Sequence, residues 1–271
     1  MNGRGFLAVT PQYSPTRELL SAAARQRGMD VEVLPAHAGA GALGERQGGH
    51  YYGGPAFAFA AGAVDDLAVA LLEPTDAWLS ALPAAYTRRN IATSTMGAAR
   101  RLTRPAFVKP PTGKSFPAAV YADGSRLPDE SGLSPETPVQ ISDVVSWVAE
   151  FRLFVLDGEV RTGSQYATFG RLDAAPLEGH HYRDAALEFA GRLFADCAHT
   201  LPSAAVVDIG LLAAPENGAT EEWAVVEANM AWFSTCYAAD PDRALDVVLR
   251  SAGPQAQVAE RDRPFRRDRG L

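Results

Sequence analysis

Lysine is nearly absent from this sequence. Of the 25 basic residues in a chain of 271, only Lys109 and Lys114 are lysines, and the rest are arginines. Cysteine is equally scarce: Cys197 and Cys236 alone cannot build a disulfide framework or a Cys-rich metal centre. No run of 18 apolar residues occurs, so no membrane-spanning helix is expected. Positive charge is short overall. A net charge of −7 argues against a nucleic-acid binder that works through bulk electrostatics. The first strand-to-helix turn lacks a G-x-G-x-x-G fingerprint, so a dinucleotide is not indicated. No internal repeat is visible, which argues against a solenoid.

What is present is an ordinary globular composition, 47% hydrophobic and 21% charged. The length suits one large domain or two to three small lobes. The run Phe6-Leu7-Ala8-Val9 reads as a first strand, not as a secretory signal, and the protein is expected in the cytoplasm. Ser14 or Thr16 is placed to cap a helix from Arg17 to about Arg27, which Gly28 stops. Val31, Val33 and Leu34 follow as a strand, giving a Rossmann-like βαβ start. Residues 38–55 are Gly-rich and end in Gly48-Gly49-His50-Tyr51-Tyr52-Gly53-Gly54. They read either as a surface loop or as a loop that closes over a substrate. A buried segment or strand is expected from Phe57, a helix from Asp76 to Pro83, and a second helix over Arg88–Arg104.

The two lysines carry the first functional argument. Ala106-Phe107-Val108 is a strand that delivers Lys109, Pro110 and Pro111 break its ladder, Thr112-Gly113 turn, and the chain returns from Phe116 to Tyr121. Lysine is a compact charge on a thin stem, suited to a narrow phosphate site that the wide arginine fork fits poorly. A chain that writes its other cations as Arg has kept Lys at 109 and 114. The competing reading is two leftover surface lysines. Further on, Glu150–Leu156 is a strong strand, Asp157-Gly158 a hairpin turn, and Glu159–Ser164 its partner, so Arg152 and Arg161 share one hairpin. His180-His181 read as solvated loop residues in preference to metal ligands. Arg183–Thr200 is an amphipathic helix with Cys197 on its core face.

The second argument is an acidic hairpin. Val206–Leu212 is an apolar strand interrupted by Asp208, Asn217-Gly218 is a strong turn signal, and Trp223–Asn229 returns. Folding symmetrically about the turn sets Asp208 opposite Glu227, with Asn229 on the same face. Two carboxylates inside an apolar sheet repel each other and are poorly hydrated. A cation resolves this. Asp208, Glu227 and the Asn229 carbonyl are hard oxygen donors of the kind Mg²⁺ takes. The alternative has one carboxylate at the surface and the other paired with an arginine.

Together these features resemble the ATP-grasp superfamily. The matching marks are Phe-Val-Lys-Pro at a strand end, Glu-x-Arg before an Asp-Gly hairpin, the Asp-Ile-Gly strand and the Glu-x-Asn strand. Within it, Lys-Pro-x-x-x-Lys-x-Phe resembles the clade named for one arginine and two lysines. The resemblance covers about residues 100–250. It implies an α/β (α+β) fold of two α+β lobes clamping ATP, preceded by a Rossmann-like domain. The corresponding division is 1–88 for the preceding domain, 89–145 and 146–253 for the two lobes, and 254–271 for a charged, flexible tail. That tail carries several arginines but also Asp262 and Asp268, so a solvated end is favoured over a nucleic-acid site. Gln140, Ser142, Asp143 and Val144 look like the adenine-binding hinge, and Lys114 takes the second phosphate role.

The implied chemistry is ATP-dependent carboxylate–amine ligation through an acyl phosphate, with ATP and Mg²⁺, on an amino acid or small peptide. Arg152, Arg161 and Arg171 are candidates for the γ-phosphate, the acyl phosphate or a substrate acid. Trp232, Phe233 and Tyr237 read equally as core or pocket wall. The rival readings are a phosphotransferase on the same fold and a nucleotide-binding module without turnover. The sequence leaves a homodimer open and does not name the acid or the amine. Lys109→Ala and Lys114→Ala are each expected to weaken ATP binding strongly, as measured by calorimetry.

Overall fold

β1 (Phe6–Val9) is buried along its whole length, as befits a strand between two parallel neighbours. The computed structural model describes residues 5–35, 48–60, 66–111, 115–128, 132–214 and 222–267. Lys114, the Asn217-Gly218 turn and the Gly-rich stretch before Gly48 lie outside the described residues. α1 (Pro15–Gln26) begins at the capping Ser14, whose Oγ accepts from the Arg17 N–H at 3.1 Å. β2 (Asp30–Val33) and β3 (His50–Tyr52) flank β1 in a parallel sheet of order β2-β1-β3. α2 (Pro55–Ala60) follows as a helix. β4 (Val69–Leu71), α3 (Trp78–Ala81) and α4 (Ala84–Thr87) then lead to a second sheet.

Here the helix expected over Arg88–Arg104 is corrected. Residues Ile91–Thr95 form a strand, β5, and only Met96–Ala99 are helical, as α5. Ile91, Thr93 and Thr95 are β-branched at every second position, which suits a pleated surface. β5 pairs along its full length with the strand Pro138–Ser142. β6 (Ala106–Lys109), β7 (Ala119–Tyr121) and β8 (Pro138–Ser142) complete an antiparallel sheet of order β5-β8-β6-β7.

The largest sheet holds β9 (Trp147–Leu156), β10 (Glu159–Thr168), β11 (Arg171–Pro176), β12 (Ala204–Leu212) and β13 (Glu222–Asn229), in the order β11-β10-β9-β12-β13. Asp157 and Gly158 both have positive φ, 53° and 82°, as a two-residue hairpin turn matched to strand twist requires. α6 (Arg183–Cys197) covers one face, packing Phe189, Leu193 and Cys197 on Phe151, Leu153 and Val207. α7 (Pro241–Ser251) covers part of the other, where Leu245 and Val248 cluster with Phe154 and Val206 and with Leu7 and Leu20 of the first unit. No helix among the described residues is long and apolar enough to cross a membrane.

The flexible tail expected from residue 254 is also corrected as far as Arg267. β14 (Ala252–Pro254) pairs with β4. Phe265 O accepts from the Glu73 N–H at 3.0 Å, and Arg267 N–H donates to Leu71 O at 2.8 Å. Asp262 is 1% exposed and accepts from Ser203 N at 2.7 Å and Ser203 Oγ at 2.6 Å. A carboxylate with two such donors is more stable inside the fold than in a solvated tail. Asp262→Ala leaves both donors unpaired and is expected to cost about 2 kcal/mol, read as a lower urea midpoint at unchanged slope.

Candidate active site

Lys109 stands at the last position of β6, opposite Gln140 of β8. Its Nζ donates to Glu227 Oε2 of β13 at 2.7 Å. Asn229 Nδ2 donates to Glu227 Oε1 at 2.9 Å. The lysine strand of the four-stranded sheet therefore meets the acidic strand of the five-stranded sheet. Asp208 is opposite Glu227 and Val206 opposite Asn229, the register expected from the symmetric hairpin. Past Asp208 a bulge shifts the pairs by one residue, so Ile209 faces Val225.

Each of the two carboxylates has its own cation. Asp208 is 1% exposed and accepts from Arg152 Nε at 2.9 Å and Nη2 at 2.7 Å, a bidentate pair. Burial works against the Arg152 charge, but Asp208 outweighs it and holds the guanidinium above its ordinary value. Burial likewise pushes Glu227 up, and Lys109 and Asn229 more than reverse it, leaving that carboxyl below the usual range. The expected cation between the carboxylates is thus supplied for Asp208 by Arg152. This is half of the alternative weighed from sequence.

Two cavities join at this point. One, of about 650 Å³, lies between Pro110-Pro111, Phe116-Pro117 and Asn229-Met230. The other, of about 340 Å³, lies between Gln140, Ser142 and Asp143 on one side and Trp147 and Glu150 on the other. Lys109, Ala118 and Glu227 line both. Of the expected hinge residues, Gln140, Ser142 and Asp143 reach the smaller cavity. Val144 does not: it is 46% exposed, and Val145 takes the wall. Asp143 accepts from Asn90 N and Nδ2 at 3.0 and 2.6 Å, which ties the hinge to the approach of β5.

Arg161 and Arg171 are not brought to these cavities. Arg161 is the extra residue of a bulge in β10, which re-aims its side chain toward Asp246 at 3.4 Å on α7. Arg171 is exposed at the start of β11 and makes no side-chain hydrogen bond or ion pair among the described residues. Arg152 alone of the three reaches the acidic strands, through Asp208, although it lines neither cavity.

Sequence reasoning missed several residues. Glu150, two positions before Arg152, lines the smaller cavity and accepts from Tyr166 Oη at 2.8 Å. Burial raises its carboxyl, Tyr166 opposes, and the charges of Asp208 and Glu227 add to the rise. The Glu-x-Arg spacing was its signal. Arg152 lies over the rings of Tyr166 and Tyr237 at 5.6 and 5.3 Å. Arg89 donates to Val225 O at 2.8 Å and Val226 O at 3.2 Å, holding the bulged carbonyls, and lies 5.1 Å over Trp147. Burial lowers it to about 10, with Asp143 opposing. Nothing marks Arg89 among 23 arginines. Trp147 can lie flat on β12 because residue 210 is glycine: a Cβ there would come within 2.5 Å of the Trp147 ring.

Two lobes that close on a cleft, a lysine at a strand end on one side and an acidic strand on the other define an ATP-grasp fold. Residues 86–247 match the family model of the ATP-grasp domain, family 2 of the clade named for one arginine and two lysines, and the chain belongs to that family. Among solved structures, D-cycloserine synthetase DcsG superposes with a TM-score of 0.56 at 17% identity, covering 91% of this chain and all of that one. A RimK domain ATP-grasp protein from Sphaerobacter thermophilus gives 0.51 at 13%, covering 90% and 100%. The ATP-grasp ligase PsnB, complexed with a phosphomimetic variant of minimal precursor, Mg and ADP, gives 0.51 at 12%, covering 92% and 98%. These likenesses are of fold. No curated protein matches the chain in sequence.

The donor set fits Mg²⁺ in part. Glu227 and the Asn229 carbonyl are hard oxygen donors two residues apart on one strand face. Asp208 can join them only by giving up a bond to Arg152, and Glu227 only by releasing Lys109. Free Mn²⁺ is therefore expected to bind wild-type protein weakly in electron paramagnetic resonance titrations and more tightly in Lys109→Met. Equal affinities would show that Lys109 does not guard Glu227. Arg152→Met leaves a buried carboxylate uncompensated and is expected to cost about 3–5 kcal/mol. Burial already holds the Asp208 carboxyl above its ordinary value, with Arg152 opposing, and loss of Arg152 raises it further above its unfolded value. Folding then takes up a proton, so the deficit grows as pH rises through that folded value. Denaturation at pH 5 and pH 8 checks the sign.

Proposed function

We propose that the protein is an ATP-dependent carboxylate–amine ligase that forms an amide through an acyl phosphate, releasing ADP and phosphate, on an amino acid or small peptide. The observation that carries this reading is the meeting of Lys109 with Glu227 and Asn229 where the two cavities join. The smaller cavity suits the adenine. Gln140 lines it, is 4% exposed and has no side-chain hydrogen-bond partner among the described residues. Its amide is thus left to read a base, with Ser142, Asp143 and the hinge backbone beside it. The larger cavity leaves room for phosphates and substrates.

Lys109 exchanges Glu227 for nucleotide phosphate, which frees Glu227 and Asn229 as the residues that would hold the metal. Bound Mg²⁺ would offset charge on the phosphate oxygens. Arg152 spends Nε and Nη2 on Asp208, which leaves Nη1 for an oxygen of the transferring phosphoryl group. A preorganised cation of this kind acts where charge develops. In the reaction a substrate carboxylate oxygen attacks the γ-phosphorus, and the bond to the β-phosphate oxygen breaks to release ADP. The amine then attacks the acyl carbon, loses a proton, and phosphate departs. Lys114 is proposed as the second phosphate-binding lysine.

The reading is tested by screening amino acids and short peptides for amine-dependent release of ADP and phosphate. Amide product is expected, and a stable phospho-compound in its place would overturn the ligase. Glu227→Gln and Asp208→Asn are expected to lower turnover by at least about a hundredfold, near 2.7 kcal/mol, with unchanged circular dichroism. Gly210→Ala should push Trp147 from the cavity wall and raise the Kd for ATP with little effect on the turnover rate.

A further inference from the structure

A third cavity, of about 390 Å³, lies at the far edge of the large sheet. β11 stops at Pro176, opposite Ser164, while β10 continues back to Glu159. Beyond that point the outer edge of β10 pairs with no strand among the described residues. One bond remains, from Leu177 N–H to Gly163 O at 3.0 Å, and there the two segments part. The wedge between them is the cavity. Val160–Gly163 form its backbone wall, and Leu177 and Leu187 add apolar surface.

Three arginines from three elements surround it: Arg161 of β10, Arg183 of α6 and Arg243 of α7. Their partners are weak or shared. Arg243 is 3.9 Å from Glu178. Arg161 is 3.4 Å from Asp246, which already accepts from Arg27 at 2.6 Å. Arg183 pairs with Asp184, which is 91% exposed, and such solvated pairs contribute little. The remaining lining acid, Asp240, is engaged in accepting from Asp242 N at 2.9 Å and Arg243 N at 3.0 Å. In a chain of net charge −7, this notch sets three arginines with weak or shared partners against two lining acids, Glu178 and the engaged Asp240, beside open backbone.

We propose that the notch docks an extended acidic peptide, which adds as a short strand to the free edge of β10 and sets its carboxylates among Arg161, Arg183 and Arg243. Strand addition takes affinity from main-chain bonds and specificity from alternate side chains. The proposal connects the notch to the cleft. Ala238 N–H donates to Ser164 Oγ at 3.1 Å and Asp240 N–H to Thr162 Oγ1 at 3.0 Å. The segment they fasten runs directly into Tyr237, over which Arg152 lies. A peptide held in the notch is thus one short segment away from the residues of the cleft.

The test needs no nucleotide and is independent of the ligase reading. A fluorescein-labelled Glu-Val-Glu-Val-Glu-Val peptide is titrated with the full chain by fluorescence anisotropy. Saturable, salt-sensitive binding is expected. It should weaken at least about tenfold, 1.4 kcal/mol, in Arg183→Ala/Arg243→Ala, whose side chains are half exposed and whose circular dichroism should match wild type. Lys-Val-Lys-Val-Lys-Val should not bind. Glu-Pro-Glu-Pro-Glu-Pro carries the same charge but lacks N–H groups at each proline and should not bind either. No binding of the Glu-Val peptide, or undiminished binding by the double variant, overturns the site. Equal binding of the Glu-Pro peptide overturns strand addition.

Discussion

A carboxylate held in an apolar sheet must find a cation or lose its charge, and the site is arranged around that requirement. Asp208 and Glu227 lie opposite each other on β12 and β13, yet they are satisfied from different directions. Arg152 reaches Asp208 from within the same sheet, on the neighbouring strand β9. Lys109 reaches Glu227 from the other sheet. The first pair is permanent in character: bidentate, buried and beside two tyrosine rings. The second crosses the cleft with one ammonium, and one bond at 2.7 Å can be exchanged for a ligand's oxygen without exposing a charge to an apolar wall. The geometry thus separates an internal strut from an exchangeable contact, although the two acids are neighbours in the sheet.

Much of this was legible from residues alone. The scarcity of lysine singled out Lys109, and the Asn217-Gly218 symmetry set the register of Asp208, Glu227 and Asn229. The first βαβ unit followed from a capped helix between two apolar runs. What was not legible follows a physical pattern. Isolated bulges are invisible to a period-two reading, and one such bulge carries Arg161 away from the cleft while another leaves Val225 and Val226 carbonyls for Arg89. The strand Ile91–Thr95 carries the β-branched alternation of a strand, but it is only five residues long and runs directly into the helical Met96–Ala99, so a helix reading extended across it. Arg89 itself could not be distinguished because its role depends on carbonyls 136 and 137 positions away.

The adenine side of the cleft shows how small residues set large ones. Gly210 contributes no side chain, and Trp147 occupies the space this leaves. Trp147 then supports Arg89, and Arg89 holds the irregular stretch of β13 from which Glu227 projects. A hydrogen atom on β12 thereby helps to set the position of a carboxylate one strand away. Glu150 and Tyr166 form a similar chain on the β9–β10 side.

Glu73 lines the larger cavity and, at 2.7 Å, accepts from an arginine that follows it by 194 positions in the chain. Protein synthesis proceeds from the amino end. The wall containing Glu73 therefore emerges from the ribosome long before Arg267 can neutralise it, and every other strand of the molecule from β5 onward is made in between. The contact that completes this wall of the cavity can therefore form only after both sheets have been synthesised.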